Sequence, residues 1–418
     1  MTDPCCSDYR HAVTSRRALL RGAGALGAGV ATATYGSAFT QTAFAATGTA
    51  PRTLVVLSMR GAADGLSLVV PHGDPVYAAA RPTIRVPAER LLAADAMFGL
   101  HPALAPLVPL WTGGAMAAVH ATGLPVANRS HFAAMEAVED ADPGTQERIG
   151  WLNRVLGAGS IGSPLRAIQQ GSGVLSTQLA GRHPAMTVSR PEDIRLPGTS
   201  TPTQAAARQR ALRTMWDGAG GPLATAVTDT LEVVDRFAPV LATPPDPANG
   251  AGYPDTDLGQ ALAATARVIR ADVGVEVVTV DHGSWDHHVR IGTPDSGSLR
   301  SMAQDLAGSV AGFFADLGAL ADRVTLVTIS EFGRRVKENA NQGLDHGHGN
   351  VMFVIGAGVR GGRYVGQWPG LLNTVDADLP VTTDYRHVLS EVVQSVFGVS
   401  PATAFPGLVA QRLDVMTL

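Results

Sequence analysis

Cysteine is almost absent. Of 418 residues two are Cys, Cys5 and Cys6, both at the very start. From residue 7 onward there is no thiol, which excludes disulfide staples, zinc-thiolate sites and a cysteine nucleophile. A metal in this part of the chain has imidazole and carboxylate donors to draw on. Charge is sparse too, at 16% of residues, and a formal net charge of -4 offers no basic face. Nucleic-acid binding needs clustered Lys and Arg to neutralise phosphates, whereas here basic residues come in short pairs such as Arg334 and Arg335, so that class is set aside. Aromatics make up 5% while Gly (47) and Pro (27) abound, which predicts many loops and Ala-rich helices. After residue 45 there is no internal repeat and no apolar run long enough to span a membrane.

Residues 1–45 have the character of an address. Ser15, Arg16 and Arg17 precede Ala18, Leu19 and Leu20, and a Gly/Ala-rich, weakly apolar run closes on Ala43, Phe44 and Ala45 in a small-x-small pattern. This resembles a twin-arginine export signal. The rival, a short membrane anchor, is disfavoured because the run is too Gly-rich for a stable span. The mature chain is expected to begin near Ala46 and to reside in the periplasm, at the cell wall or outside the cell.

Five short β-rich apolar runs follow: 53–59 (TLVVLSM), 116–121 (MAAVHA), 275–280 (VEVVTV), 324–330 (VTLVTIS) and 351–355 (VMFVI). Helical patterns over 205–217, 224–237, 258–270, 299–317 and 385–396 separate several of them. Strands alternating with helices predict an α/β fold with a doubly wound, mostly parallel sheet flanked by helices. The Thr/Pro/Ala-rich stretch 187–254 is expected to be an insertion or cap on a domain spanning 46–418. In such sheets function collects at the carboxyl ends of strands.

Polar residues fall at those ends. Asp64 follows the first run; Asp281, His282, Trp285, Asp286, His287 and His288 follow 275–280; Glu331 and Arg334 follow 324–330. Asp345, His346 and His348, in LDHGHGN, lead into 351–355. Five of the twelve histidines lie between His282 and His348. Carboxylates for charge and imidazoles for directional bonds are what a divalent cation takes when thiolates are missing. Gly347 and Gly349 remove bulk, so that His346 and His348 can aim inward. Each feature also has a plain alternative: an Asp after a strand is often a cap or turn residue, and HGSWDHH can be an exposed hairpin tip. In ANRSHFAAMEA, Ser130 opens a helical pattern, either as an ordinary cap or as a nucleophile at the positive helix end, with Arg129 clamping an anionic group. Asp384 is expected to cap a last helix, with Arg386 free to pair with a site carboxylate.

RGAADGLSLVVPHGDP, FGLHPALAPLVPLW, RSHFAAME, GSWDHH, SEFGRR, DHGHG, VRGGRYVGQWPGL and LPVTTDYRHV, in this order, resemble the DUF1501 family of exported bacterial proteins. That family is similar to the alkaline phosphatase and sulfatase superfamily, which implies an alkaline-phosphatase-like fold. The resemblance implies an early metal ligand at Asp64, a nucleophile at Ser130, a middle ligand pair at Asp286 and His288, and a late histidine at His346 or His348. It implies one or two divalent ions (zinc, manganese or calcium); Glu331, by its place at a strand exit, and Asp345, which with His346 would replace the missing Asp-His-Gly, are further candidate ligands. Two departures stand out. Ser330, Glu331, Phe332 and Gly333 replace the superfamily's Asp-His-Gly, and the sulfatase Cys-x-Pro-x-Arg signature is missing. The expected function is an exported, metal-dependent hydrolase of a small or polymeric phosphate or sulfate ester, with Arg129 or Arg334 stabilising developing charge. The alternative is a non-catalytic binding or accessory protein of the cell envelope on the same fold.

Overall fold

The computed structural model describes residues 50–142, 148–159, 163–171, 173–199 and 201–418. The expected export segment, 1–45, lies outside the described residues.

TLVVLSM forms β1 (Thr53–Met59), buried along its whole length. Eight further strands join the same sheet: β2 (Met116–Gly123), β3 (Ala167–Gln170), β4 (Met186–Val188), β5 (Val277–His282), β6 (Val324–Ile329), β7 (Asn350–Gly356), β8 (Arg363–Val365) and β9 (Thr383–Asp384). Their order is β8-β2-β7-β6-β1-β5-β3-β4, with β9 beside β2. All pairings are parallel except those of β7, which runs antiparallel to β2 and β6. The fold is thus mixed α/β with a large, mostly parallel sheet, as the alternation of apolar runs and helical patterns predicts. The central strands are apolar on both faces, which a sheet covered on both sides requires.

Among the helices that cover the sheet are α1 (His131–Asp140), α2 (Asp257–Arg270), α3 (Ser298–Leu317) and α4 (Tyr385–Phe397). Along α3 the buried residues Leu299, Ala303, Leu306, Val310, Phe313 and Leu317 recur at helical spacing and form one apolar stripe. Each large apolar side chain so buried contributes roughly 1.5–3 kcal/mol. Helix α2 packs against α3 and β5. Ala134, Met135 and Val138 of α1 share a core with Val388, Leu389 and Val392 of α4 and with Val56, Val327 and Val354 of the sheet. Asp384 caps α4 by accepting the Arg386 backbone N–H at 3.0 Å, and Gly398, at φ 66°, ends the helix in the left-handed region that glycine tolerates.

A second compact unit includes Leu196–Asp235. It carries the helix Pro202–Trp216, capped by Thr201, and most of the helix Pro222–Ala242, with an Arg213 to Asp235 ion pair inside the unit. Among the described residues no helix is long and apolar enough to cross a membrane.

The reversed strand decides where the site lies. Because β7 is antiparallel, its first residue, Asn350, pairs with Thr122 near the end of β2. Residues that precede β7 therefore reach the same sheet edge as residues that follow β1, β5 and β6.

Candidate metal centre

Four segments meet at that edge. The β5 exit brings Asp286 and His288, the start of α1 brings His131, and the loop before β7 brings His346. The β6 exit brings Glu331, Phe332 and Arg334. The last two segments are zipped together: Gly347 N–H donates to the Gly333 carbonyl at 2.8 Å, and Arg335 N–H to the Asp345 carbonyl at 3.0 Å. Gly347 is needed for this close approach, since a Cβ there would stand 2.4 Å from the Arg334 carbonyl carbon. Gly347→Ala is expected to destabilise the fold by about 1–3 kcal/mol through overpacking against backbone. Because His346 is the neighbouring residue, metal affinity should fall with it; urea denaturation and a metal-competition titration on one sample check both.

Two imidazole nitrogens and one carboxylate oxygen, of His131, His346 and Asp286, surround one point, and a third imidazole, His288, stands beside it. His346 Nε2 lies 2.9 Å from His288 Nε2 and 3.0 Å from His131 Nε2. Asp286 Oδ1 is 2.9 Å from His288 Nε2 and 3.5 Å from the Nε2 atoms of His131 and His346. The opposite nitrogen of each ring faces an oxygen: His346 Nδ1 the Arg129 carbonyl at 2.9 Å, His131 Nδ1 Glu331 Oε1 at 3.4 Å, and His288 Nδ1 Asp345 Oδ1 at 3.6 Å. A carbonyl or carboxylate oxygen only accepts, so Nδ1 of His346 and of His131 is a donor, and with a cation at the point their Nε2 atoms are left to bind it. Lone pairs brought this close repel unless a cation lies among them.

The donor set fits such a cation. Donors of a tetrahedral centre with bonds of about 2.0–2.1 Å lie about 3.3 Å apart, within the spread seen here. Asp286 is 41% exposed at its side chain, so the point opens to solvent on one side. The electrostatics agree. Burial opposes protonation of His131, but hydrogen bonds to Asp286 and Glu331 outweigh it and push the ring up to about 9. Burial would raise Asp286, yet the three imidazoles and Arg334 hold it far below the usual carboxylate range. These acids demand positive charge. One proton relieves one contact, whereas one divalent ion relieves several at once. The His131, Asp286 and His346 cluster can therefore hold a metal ion, with His288 next to it.

Of the seven expected ligands, Asp286 and His346 are brought to this point and His288 stands beside it. Glu331 and Asp345 stand behind it, against the far nitrogens of His131 and His288. His348 is turned away, its Nε2 2.8 Å from the Leu124 carbonyl. Asp64 lies 1% exposed in a two-pronged ion pair with Arg81, at 2.5 and 3.0 Å, and both its oxygens are taken. Arg334, expected to face substrate, is buried and spends its donors on the carbonyls of Gly61, Ala62, Trp285 and Leu344 and on Asp286 Oδ1 at 2.6 Å. It ties three loops together and holds the Asp286 carboxylate. Arg129 is half-exposed and paired with Asp378. Ser130 occupies the N-cap of α1 but its side chain makes no capping bond, so among the described residues its hydroxyl has no backbone N–H of the helix as partner. Arg386 pairs with Asp384 at 2.6 Å instead of a site carboxylate, because the helix cap sits within its reach. The HGSWDHH run is no exposed tip: Trp285 and His287 are buried, and burial pushes His287 down to about 4.

His131 is the candidate donor that inspection of the sequence does not assign. Its signal lies in RSHFAAME, where Ser130 and Arg129 suggest a chemistry of their own and overshadow the imidazole next to them.

Among solved structures the chain is similar to two of the C-terminal periplasmic domain of EcEptC from Escherichia coli, one of them a complex with Zn. Both have 12% identity and a TM-score of 0.30, covering 74% of this chain and 74% and 73% of theirs. No curated protein matches the chain. Residues 99–389 match the family model described as "Protein of unknown function (DUF1501)". Since that span is well over half of the chain, this protein belongs to the DUF1501 family.

Proposed function

We propose that the chain is an exported, metal-dependent hydrolase of phosphate or sulfate esters, working with a single divalent ion. What supports this is the convergence of the His131 and His346 Nε2 atoms and Asp286 Oδ1 at the carboxyl edge of the sheet, with His288 beside them and a Ser130 hydroxyl that makes no capping bond. Imidazole donors favour zinc or manganese over calcium, which prefers an all-oxygen shell. The chemistry such an ion supplies is neutralisation of ester oxygens and activation of a hydroxyl or water. The chain's own residues supply the rest. Backbone N–H groups at the start of α1 face an anionic group, Arg129 is the cation at the opening, and Ser130 is the attacking hydroxyl. Export by the twin-arginine route and the alkaline-phosphatase-like ancestry belong to the same proposal and rest on the sequence motifs.

The test uses protein purified without chelators. One equivalent of zinc or manganese and turnover of an aryl phosphate or aryl sulfate are expected. Ser130→Ala should lower kcat at least about tenfold, since covalent catalysis by an activated hydroxyl is lost. Turnover that survives the substitution assigns attack to water. Bound metal with no turnover of either ester moves the chain to the binding or accessory role.

A further inference from the structure

We infer that Glu331 is a positioning residue, fixing His131 with its proton on Nδ1 so that the Nε2 lone pair faces the donor point. This rests on the metal assignment of the site and not on the hydrolase proposal.

The sequence pattern here is Ser330, Glu331, Phe332, Gly333, and none of these side chains reaches the donor point. Their placement gives them a different job. Glu331 is 3% exposed and locked by the β1 exit loop: Gly61 N–H donates to its Oε1 and Ala62 N–H to its Oε2, each at 2.8 Å. The lone pair left on Oε1 faces His131 Nδ1 at 3.4 Å. Burial favours a neutral carboxyl, but two backbone N–H groups and the Ser330 hydroxyl, 3.1 Å from Oε2, all donate to it and favour the carboxylate, which only accepts. His131 Nδ1 must then donate, and the ring is committed to binding through Nε2. Phe332 completes the setting. Its ring packs against His131 and His346 at centroid distances of 5.0 and 4.9 Å, walling both imidazoles into the planes that bring their Nε2 atoms 3.0 Å apart.

The device reaches further back. Arg60, one residue before the Gly61 donor, bonds Glu139 at the far end of α1 at 2.7 Å. The β1 exit loop thereby holds α1 at both ends, through Glu331 at His131 and through Arg60 at Glu139. Metal affinity is thus coupled to a loop that contributes no donor of its own.

Glu331→Gln tests this with little change of volume. An amide places an N–H₂ group where one oxygen stood, so it opposes a backbone N–H or presents a donor to His131 Nδ1, and the negative charge is lost either way. Zinc affinity, read by competition with a chromophoric chelator, is expected to fall about 10–100-fold, the usual cost of removing an outer-shell partner. Nitrogen-15 histidine spectra of the zinc-loaded wild-type chain should show His131 protonated at Nδ1, and Glu331→Gln should weaken or shift that signal. A purely structural role would lower stability and leave the spectrum unchanged. Zinc affinity of Glu331→Gln within twofold of wild type, or a wild-type His131 protonated at Nε2, overturns the inference. Should the variant fail to fold, the wild-type spectrum alone decides. A wild-type chain that takes up no zinc removes the metal assignment and this inference together, whereas a zinc-loaded chain without esterase activity leaves the inference standing.

Discussion

On the proposed metal site, His346→Ala is expected to abolish metal binding. His346 is the hub of the donor set: its Nε2 lies within 3.0 Å of two other imidazole nitrogens and 3.5 Å from Asp286 Oδ1, and its Nδ1 is held by the Arg129 carbonyl. Removing it takes away a donor and frees the loop that the carbonyl contact steadies. The loss in affinity should exceed the roughly 10–100-fold that removal of an outer-shell partner costs. Elemental analysis after gel filtration should find little zinc or manganese in the variant and about one equivalent in the wild type, and ester hydrolysis should disappear with the metal. His348→Ala is the matched control. It lies two residues away in the same DHGHG motif, but its Nε2 is engaged with the Leu124 carbonyl, so its metal content should stay at the wild-type level. Equal loss in both variants would mean that the loop, and not a donor nitrogen, had been disrupted.

That pair of variants also marks where the sequence is legible and where it is not. Apolar runs with β-branched residues predict β1, β2, β5, β6 and β7 to within a few residues, because buried central strands of a covered sheet must be apolar on both faces. The short strands β3 and β4 escape, since Gln169 and Gln170 at the end of β3 are polar although buried. Which histidine points inward is a different kind of fact. His346 and His348 share one sequence pattern, and their fates divide on which carbonyl each ring meets, Arg129 or Leu124. Both carbonyls are more than 200 positions away in sequence. The antiparallel course of β7 is likewise invisible in VMFVI, yet it alone explains why a loop preceding a strand meets loops that follow strands. His131 is hidden for the opposite reason: its neighbours Arg129 and Ser130 already suggest a chemistry.

Asp64→Ala should separate ancestry from structure most sharply. The superfamily resemblance makes Asp64 an early metal ligand, whereas the fold closes it in an ion pair with Arg81 in which both partners are at most 1% exposed. Arg81 also donates to Ser67 Oγ and to the carbonyls of Arg335 and Val336, so the pair clamps the β1 exit to the segment that follows Arg334. Removing the carboxylate leaves a buried guanidinium without its counter-charge, which costs about 3–5 kcal/mol. Urea denaturation should show that loss while the zinc affinity of the folded fraction stays close to wild type. The double replacement Asp64→Leu with Arg81→Met should cost less than the single one, because no unpaired charge remains. The acid side gives an independent check. Burial raises the Asp64 carboxyl, but Arg81 outweighs it and holds the group below its ordinary value. A group with a lowered folded value contributes its full stability above the unfolded value of about 3.9 and loses it as pH falls through the folded one. The gap between wild type and Asp64→Ala should therefore be constant near neutral pH and narrow below about pH 4. An Asp64→Ala chain that unfolds like wild type but binds no zinc would restore Asp64 to the ligand set and place the metal nearer Arg81 than His346.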